Sequence, residues 1–254
     1  MRAMARGGYV ASGVLHVLVA WLAVQLALGR PAGQADESGA FRTLANAPGG
    51  EVLLWAVVVG FVALALWQLT SAIVGVPGAD APHQTGARAK SAAKGVLYGV
   101  LAATAVPYAQ GGGKGGGGGG QESMTAGVLN MPGGRWLLGA VGLVVLGVGV
   151  FHVVKGVRKK FLEDLARTGG RSVGTAVERL GQAGYVAKGI ALGIVGGLVV
   201  AAAVTSEASR AGGLDQALRT VRDQPFGPAL LFVIGVGIAA YGVYSFARAR
   251  FARL

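Results

Sequence analysis

The sequence predicts an all-α membrane protein: six transmembrane helices arranged as three parallel two-helix repeats around a pseudo-threefold axis. Three observations predict it. The composition is that of a membrane-embedded chain, with 53% hydrophobic residues, 13% charged residues and a mean hydropathy of +0.56 over 254 residues. Six apolar stretches are long enough to cross a bilayer. One helix-opening pattern and one proline turn each recur three times, in the same order.

A hydrocarbon core about 30 Å thick needs about 20 mostly apolar residues at ~1.5 Å rise each. The qualifying stretches are Gly7–Gly29, Val52–Val76, Ala92–Ala109, Trp136–Val154, Gly184–Val204 and Pro228–Ala247. In the first, Arg2 and Arg6 precede an apolar run that ends in Ala27-Leu28-Gly29, a pattern shared with cleaved leaders. The run is too long for a leader and its opening recurs downstream, so it is read as a retained span. The third stretch is the shortest, with Lys94 near one end and Pro107 near the other. The repeats require it to span.

Charge sets the direction. The side formed by the N-terminus, the 77–94 and 155–188 regions and the C-terminus holds 16 of the 23 basic residues. The other side holds seven basic and seven acidic residues and is neutral overall. By the positive-inside rule both termini are cytoplasmic, and the localisation expected is the inner (plasma) membrane. The net charge of +12 is thereby an orientation signal. The basic loops lack the interleaved aromatics of a nucleic-acid binder.

The repeats emerge when Gly13, Gly95 and Gly189 are aligned. The openings are then Gly8-Tyr9-Val10-Ala11-Ser12-Gly13, Lys90-Ser91-Ala92-Ala93-Lys94-Gly95 and Gly184-Tyr185-Val186-Ala187-Lys188-Gly189. Each even-numbered helix follows a proline turn: Pro48-Gly49-Gly50, Pro132-Gly133-Gly134 and Pro225-Phe226-Gly227. Nineteen residues after each proline stand Trp67, Phe151 and Tyr244, followed by the polar Gln68, His152 and Ser245. Two spans per copy give all three copies one orientation, hence the pseudo-threefold axis along the membrane normal. Glycines spaced by four, as in Gly95-xxx-Gly99 and Gly189-xxx-Gly193-xxx-Gly197, suit close helix packing in lipid.

The repeats divide the chain at 1–80, 81–166 and 167–254. Ahead of the proline turns, apolar residues at helical spacing (Leu214, Ala217, Leu218 and Val221, echoed by Phe41, Leu44 and Ala45) predict short amphipathic helices at the outer interface. The stretch 110–121 is almost all glycine, which offers nothing to pack and loses most entropy on ordering, so it is expected to be a flexible external loop. It is no phosphate cradle, because Gln121-Glu122-Ser123 follows where Lys-Ser/Thr is required.

On these residues the chain resembles the bacterial domain of unknown function 1206 family, three tandem two-helix modules with a G-Y-x-A-(K/R)-G opening and a P-(F/G)-G turn. Gly184 to Gly189 and Gln224-Pro225-Phe226-Gly227 carry the resemblance best, and it extends from about Ala5 to Phe251. The second module departs from it, with Ser91 in place of tyrosine. The resemblance implies topology and membrane location, and no activity. Three-by-two architecture also describes the mitochondrial carriers, but their P-x-(D/E)-x-x-(K/R) signature does not occur at the corresponding helix ends here.

Ionisable residues inside spans are the natural candidates for function. No carboxylate lies within a span away from its ends, which disfavours a carboxylate-based proton pump and a serine triad. His16 and His152 have no metal-ligating neighbour at helical spacing, and cysteine is absent, so neither cofactor nor metal is expected. His83, near Asp80, reads as a solvated turn. Ser12, Lys94 and Lys188 share one repeat position, and the hairpin geometry brings them to the depth of Gln68, His152 and Ser245. With His16 these residues form a candidate site for an anion or lipid headgroup, while the competing reading is that the lysines face outward and snorkel to the interface. The expected role is a non-enzymatic scaffold in the lipid bilayer that binds anionic lipid headgroups or a partner. The alternative is a small-solute or ion transporter or channel with its pathway along the axis. A protein partner or homo-oligomer is left open by the sequence.

Overall fold

The computed structural model describes residues 2–30, 33–75, 84–111, 118–166 and 171–251, and these form helices, turns and short connections without a strand. Six helices are long: α1 (Arg2–Ala27), α3 (Gly50–Val74), α4 (Gln84–Ala109), α6 (Gly134–Val157), α7 (Arg171–Thr205) and α9 (Gly227–Phe251). Three are short: α2 (Glu37–Ala45), α5 (Gly118–Leu129) and α8 (Gly213–Arg222). Among the described residues, α1, α3, α6, α7 and α9 are long and apolar enough to cross a membrane. The chain is therefore a membrane protein. α4 has the length, 26 residues, but Arg88, Lys90 and Lys94 and a scatter of polar side chains leave it less apolar.

The chain packs as two units, Met1–Gly8 with Phe41–Gly115, and Tyr9–Ala40 with Gly116–Leu254. Within them the three proline turns have one geometry. Their middle residues, Gly49, Gly133 and Phe226, take left-handed φ of 72°, 75° and 60°. The next residue donates its N–H three positions back: Gly50 to Ala47 at 2.9 Å, Gly134 to Met131 at 2.9 Å and Gly227 to Gln224 at 2.7 Å. A Cβ on any of these three glycines would collide with a carbonyl of the preceding short helix, at Leu44, Val128, or Val221 and Arg222. The third turn position is fixed as glycine for that reason, and the second is not, so Phe226 bears the left-handed strain.

The short helices α2 and α8 lie where the amphipathic spacing predicts them. Phe41, Thr125 and Leu218, each seven residues before a turn proline, are buried. The glycine-rich stretch departs from expectation. Residues 112–117 lie outside the described residues, but 118–121 form the first turn of α5 rather than loop. Once α5 is nucleated over its non-glycine part, each further residue adds a backbone hydrogen bond, which offsets the glycine penalty of about 1 kcal/mol. His83 also lies outside the described residues.

The returning helices α3, α6 and α9 bury one and the same stripe. Six residues after the proline stand Leu54, Leu138 and Leu231, and ten after it Val58, Gly142 and Gly235, all buried. Seventeen after it stand Ala65, Gly149 and Gly242, buried as well. That spacing is one helical face. The stripe packs against an odd-numbered helix in a shared register. A Cβ on Gly149 would stand 2.8 Å from the Gly189 carbonyl of α7, and one on Gly242 3.0 Å from the carbonyl of Gly13 in α1. A Cβ on Gly13 would meet Phe246 at 2.8 Å, one on Gly95 Leu69 at 2.8 Å, and one on Gly189 Val153 at 2.7 Å. These three partners are all twenty-one residues past their prolines. The helix returning from one repeat thus packs on the helix opening the next, in α3 on α4 and α6 on α7, and α9 takes α1 as its next helix.

Of the glycines spaced by four, Gly99 and Gly197 meet nothing within 4 Å, whereas Gly189 and Gly196, seven apart, lie against α6. Seven residues return a helix to the same face and a step of four rotates off it by about 40°.

Outside the spans, Asp215 of α8 accepts the Ala35 N–H at 2.8 Å through one oxygen and pairs with Arg219 at 2.8 Å through the other. Asp36, 2% exposed, caps α2 by accepting the Gly39 N–H at 3.0 Å. Burial pushes the Asp36 carboxyl up to about 6; the Gly39 N–H opposes this, and Glu37 and Asp215 add repulsion.

Candidate functional site

His16 lies one turn beyond Ser12 on α1, and its ring turns back on its own helix. Nδ1 lies 2.7 Å from the Ser12 carbonyl and 3.4 Å from the Ser12 hydroxyl. A carbonyl only accepts, so Nδ1 carries the proton and Nε2 presents a lone pair. Lys188 of α7 fills that lone pair, its Nζ 3.1 Å from Nε2. The imidazole is thereby neutral, and Lys188 holds the charge.

The other partner of Lys188 is also uncharged. Its Nζ sits 4.2 Å from the ring centroid of Tyr241 on α9, which in turn lies 4.7 Å from the His16 ring. Gly184 makes this approach possible, since a Cβ there would press on the Tyr241 backbone. Among the described residues no carboxylate pairs with Lys188.

Tyr185, one turn before Lys188, is the hub of an aromatic cluster. Its ring stacks on Phe161 at 5.3 Å and on His152 at 5.7 Å, and meets Tyr241 and Tyr244 edge-on at 5.3 and 5.7 Å. Phe161 reaches it on a short 3-10 turn, Lys160–Asp164, and fits because Gly181 has no side chain. The Tyr244 hydroxyl donates to the Phe161 carbonyl at 3.3 Å. Two further cations rim the cluster. Lys155 lies 5.5 Å from the Tyr185 centroid, and Arg248 lies 4.4 Å from that of Tyr9, whose hydroxyl it reaches at 3.2 Å. Asp164 serves both, at 2.6 Å from Lys155 and 3.9 Å from Arg248. The Arg248 Nε–H is buried and, among the described residues, has no hydrogen-bond partner. Two cations therefore share one carboxylate, and Lys188 stands beside them with neutral partners.

The structure brings Ser12, His16 and Lys188 into contact. His152 lies on another side of Tyr185, its Nδ1 donating to the Val148 carbonyl at 2.8 Å. Ser245 is buried and donates to the Tyr241 carbonyl at 2.9 Å, so its proton is committed to its own helix. Gln68 and Lys94 belong to the first unit.

Sequence reasoning passed over Tyr241, Arg248, Phe161 and Asp164. Tyr9, Tyr185 and Tyr244 were visible as repeat markers, and their aromatic character was the available signal for a cluster. Tyr241 had none, because its repeat-mates Leu64 and Val148 are aliphatic.

The family model described as Domain of Unknown Function (DUF1206) matches the chain three times, over residues 7–75, 89–159 and 183–252. The chain is also 28% identical over 249 residues to a protein of Bacillus subtilis (strain 168) described as "Uncharacterized protein YxxB", an alignment covering 94% of this chain and 87% of that one. No solved structure matches it.

Proposed function

Because the chain belongs to the Domain of Unknown Function (DUF1206) family, whose name assigns no activity, we propose a role from the chain's own site: a non-enzymatic membrane protein that holds an anionic lipid headgroup at its basic end. The observation that carries this reading is the surplus of charge around the aromatic cluster. Lys188 has two neutral partners, Lys155 and Arg248 share Asp164, and one Arg248 N–H is unpartnered. A buried donor without an acceptor is costly, and a phosphate oxygen would satisfy it.

In this reading α4 is the sixth span and the three repeats are related by a pseudo-threefold axis. The use of α1 by α9 in the register of α6 on α7 supports that relation. The basic end faces the cytoplasm across the inner membrane, as the charge partition indicates. Impermeant labelling of Ser209→Cys in intact cells, with none at the basic end, reads that orientation.

The direct test is retention of phosphatidylglycerol by the purified full chain, read by native mass spectrometry. Loss of a charge-assisted hydrogen bond of about 1.5–3 kcal/mol predicts that Lys188→Gln weakens retention about tenfold or more. Unchanged retention in Lys188→Gln rules the site out.

A further inference from the structure

One position separates the second repeat from its mates on the outward face of the returning helices. Seven residues after the proline, α3 carries Trp55 and α9 carries Phe232, each with two-fifths or more of its surface exposed. α6 carries Gly139 at that position. Close packing does not demand this glycine: a Cβ there would meet just the Ala203 methyl, at an ordinary 3.7 Å. The missing side chain leaves a groove of about 330 Å³ between α6 and α7, floored by Gly139, Ala140 and Ala203 and walled by Leu143, Val200 and Val204.

The mouth of the groove differs in character from its floor. Arg135, in the first turn of α6, stands there with its guanidinium 5.7 Å from the centroid of the Trp136 ring. Among the described residues it has no ion pair, and its repeat-mates are Glu51 and Pro228. Trp136 is 78% exposed, at the end of an apolar helix where amphipathic rings mark the membrane interface. An arginine at the interface with an apolar channel running from it into the membrane matches a molecule that is anionic at one end and hydrocarbon beyond.

We propose that this groove is a glycerophospholipid site, with the lipid phosphate on Arg135 and one acyl chain lying along Gly139, Ala140 and Ala203. A planar guanidinium binds phosphate oxygens in pairs, and the neighbouring indole shields the contact from water. In the other two repeats the equivalent position carries the bulky aromatic side chains of Trp55 and Phe232, so the proposal places the site in the second repeat. It lies at the end of α6 opposite Lys155 and is independent of the headgroup site at the basic end.

The test reconstitutes the full chain in vesicles of phosphatidylglycerol doped with the same lipid bearing a photoactivatable diazirine in one acyl chain, and maps cross-links by mass spectrometry. Labelling is expected to concentrate in the peptides holding Gly139–Leu143 and Val200–Val204, at least fivefold above those around Trp55 and Phe232. Gly139→Trp, which gives the second repeat the residue of the first, should abolish that excess. Arg135→Gln should reduce it about fivefold, and Arg135→Lys should restore part of it. Lys188→Gln should leave it unchanged, which separates this site from the one at the basic end. Even labelling around all three returning helices, or an excess that survives Gly139→Trp, would each overturn the proposal.

Discussion

Gly149→Ala and Gly242→Ala are expected to lower the stability of the folded protein by about 1–3 kcal/mol each, while Gly147→Ala leaves it unchanged or slightly higher. The new methyl at position 149 would lie 2.7 Å from the Gly193 nitrogen and 2.8 Å from the Gly189 oxygen. Those atoms are backbone of the facing helix, so no rotamer relieves the overlap and α6 must move off α7 as a body. At position 242 the methyl would meet Val17 at 2.8 Å and the Gly13 oxygen at 3.0 Å. Gly147, on the same helix as Gly149, has nothing within 4 Å of its added Cβ. Thermal unfolding of the three variants in detergent checks the contrast. Equal midpoints for Gly149→Ala and Gly147→Ala would mean that the α6–α7 approach is looser than described.

The second large effect is a pH dependence located at Asp36. Its carboxyl titrates at 3.8 in the unfolded chain and at about 6 in the folded protein, because burial disfavours the charged form. The folded state therefore holds the proton longer. Below the unfolded value Asp36 costs nothing. As pH rises from 3.8 to about 6 the penalty grows, and above 6 it is fully present, at about 3 kcal/mol for a shift of that size. Asp36→Asn cannot ionise and still offers an oxygen to the Gly39 N–H. Its advantage over wild type should be small near pH 4, grow through pH 6 and stay constant to pH 8, reaching about 2–3 kcal/mol at the top. Thermal midpoints of the pair across that range give the difference directly. A constant difference across the range would show that Asp36 does not titrate there.

Much of this arrangement was legible in the residues, and the limits have physical causes. The proline turns were readable because a left-handed residue followed by an obligatory glycine leaves a fixed signature, as at Pro132-Gly133-Gly134. The short helices were readable because Phe41 and Leu218 are buried while the arginines that follow them, Arg42 and Arg219, are not. Helix pairing was not, since Gly13 and Gly189 announce that some helix comes close without saying which. The glycines at a spacing of four drew attention to Gly99 and Gly197, which meet nothing, because the register depends on the crossing of two helices and one sequence pattern carries just one of them. The contact of Lys188 with His16 joins residues 172 positions apart, and the one from Asp215 to Ala35 spans 180. Neither long-range contact leaves a local trace.

The most direct test of the account is whether the third repeat closes on the first as each repeat meets the next. The chain has no cysteine, so introduced pairs report without interference. A Cβ on Gly235 would stand 3.5 Å from the Ala23 Cβ, inside the range that a disulfide spans. Ala23→Cys/Gly235→Cys in native membranes is expected to form the α1–α9 disulfide quantitatively on mild oxidation, detected as a linked peptide pair. Ala23→Cys/Val233→Cys, with the second cysteine on the exposed face of α9, is expected to form none. A reduced first pair, or equal linkage in both, would contradict the shared interface on which the three-repeat account rests.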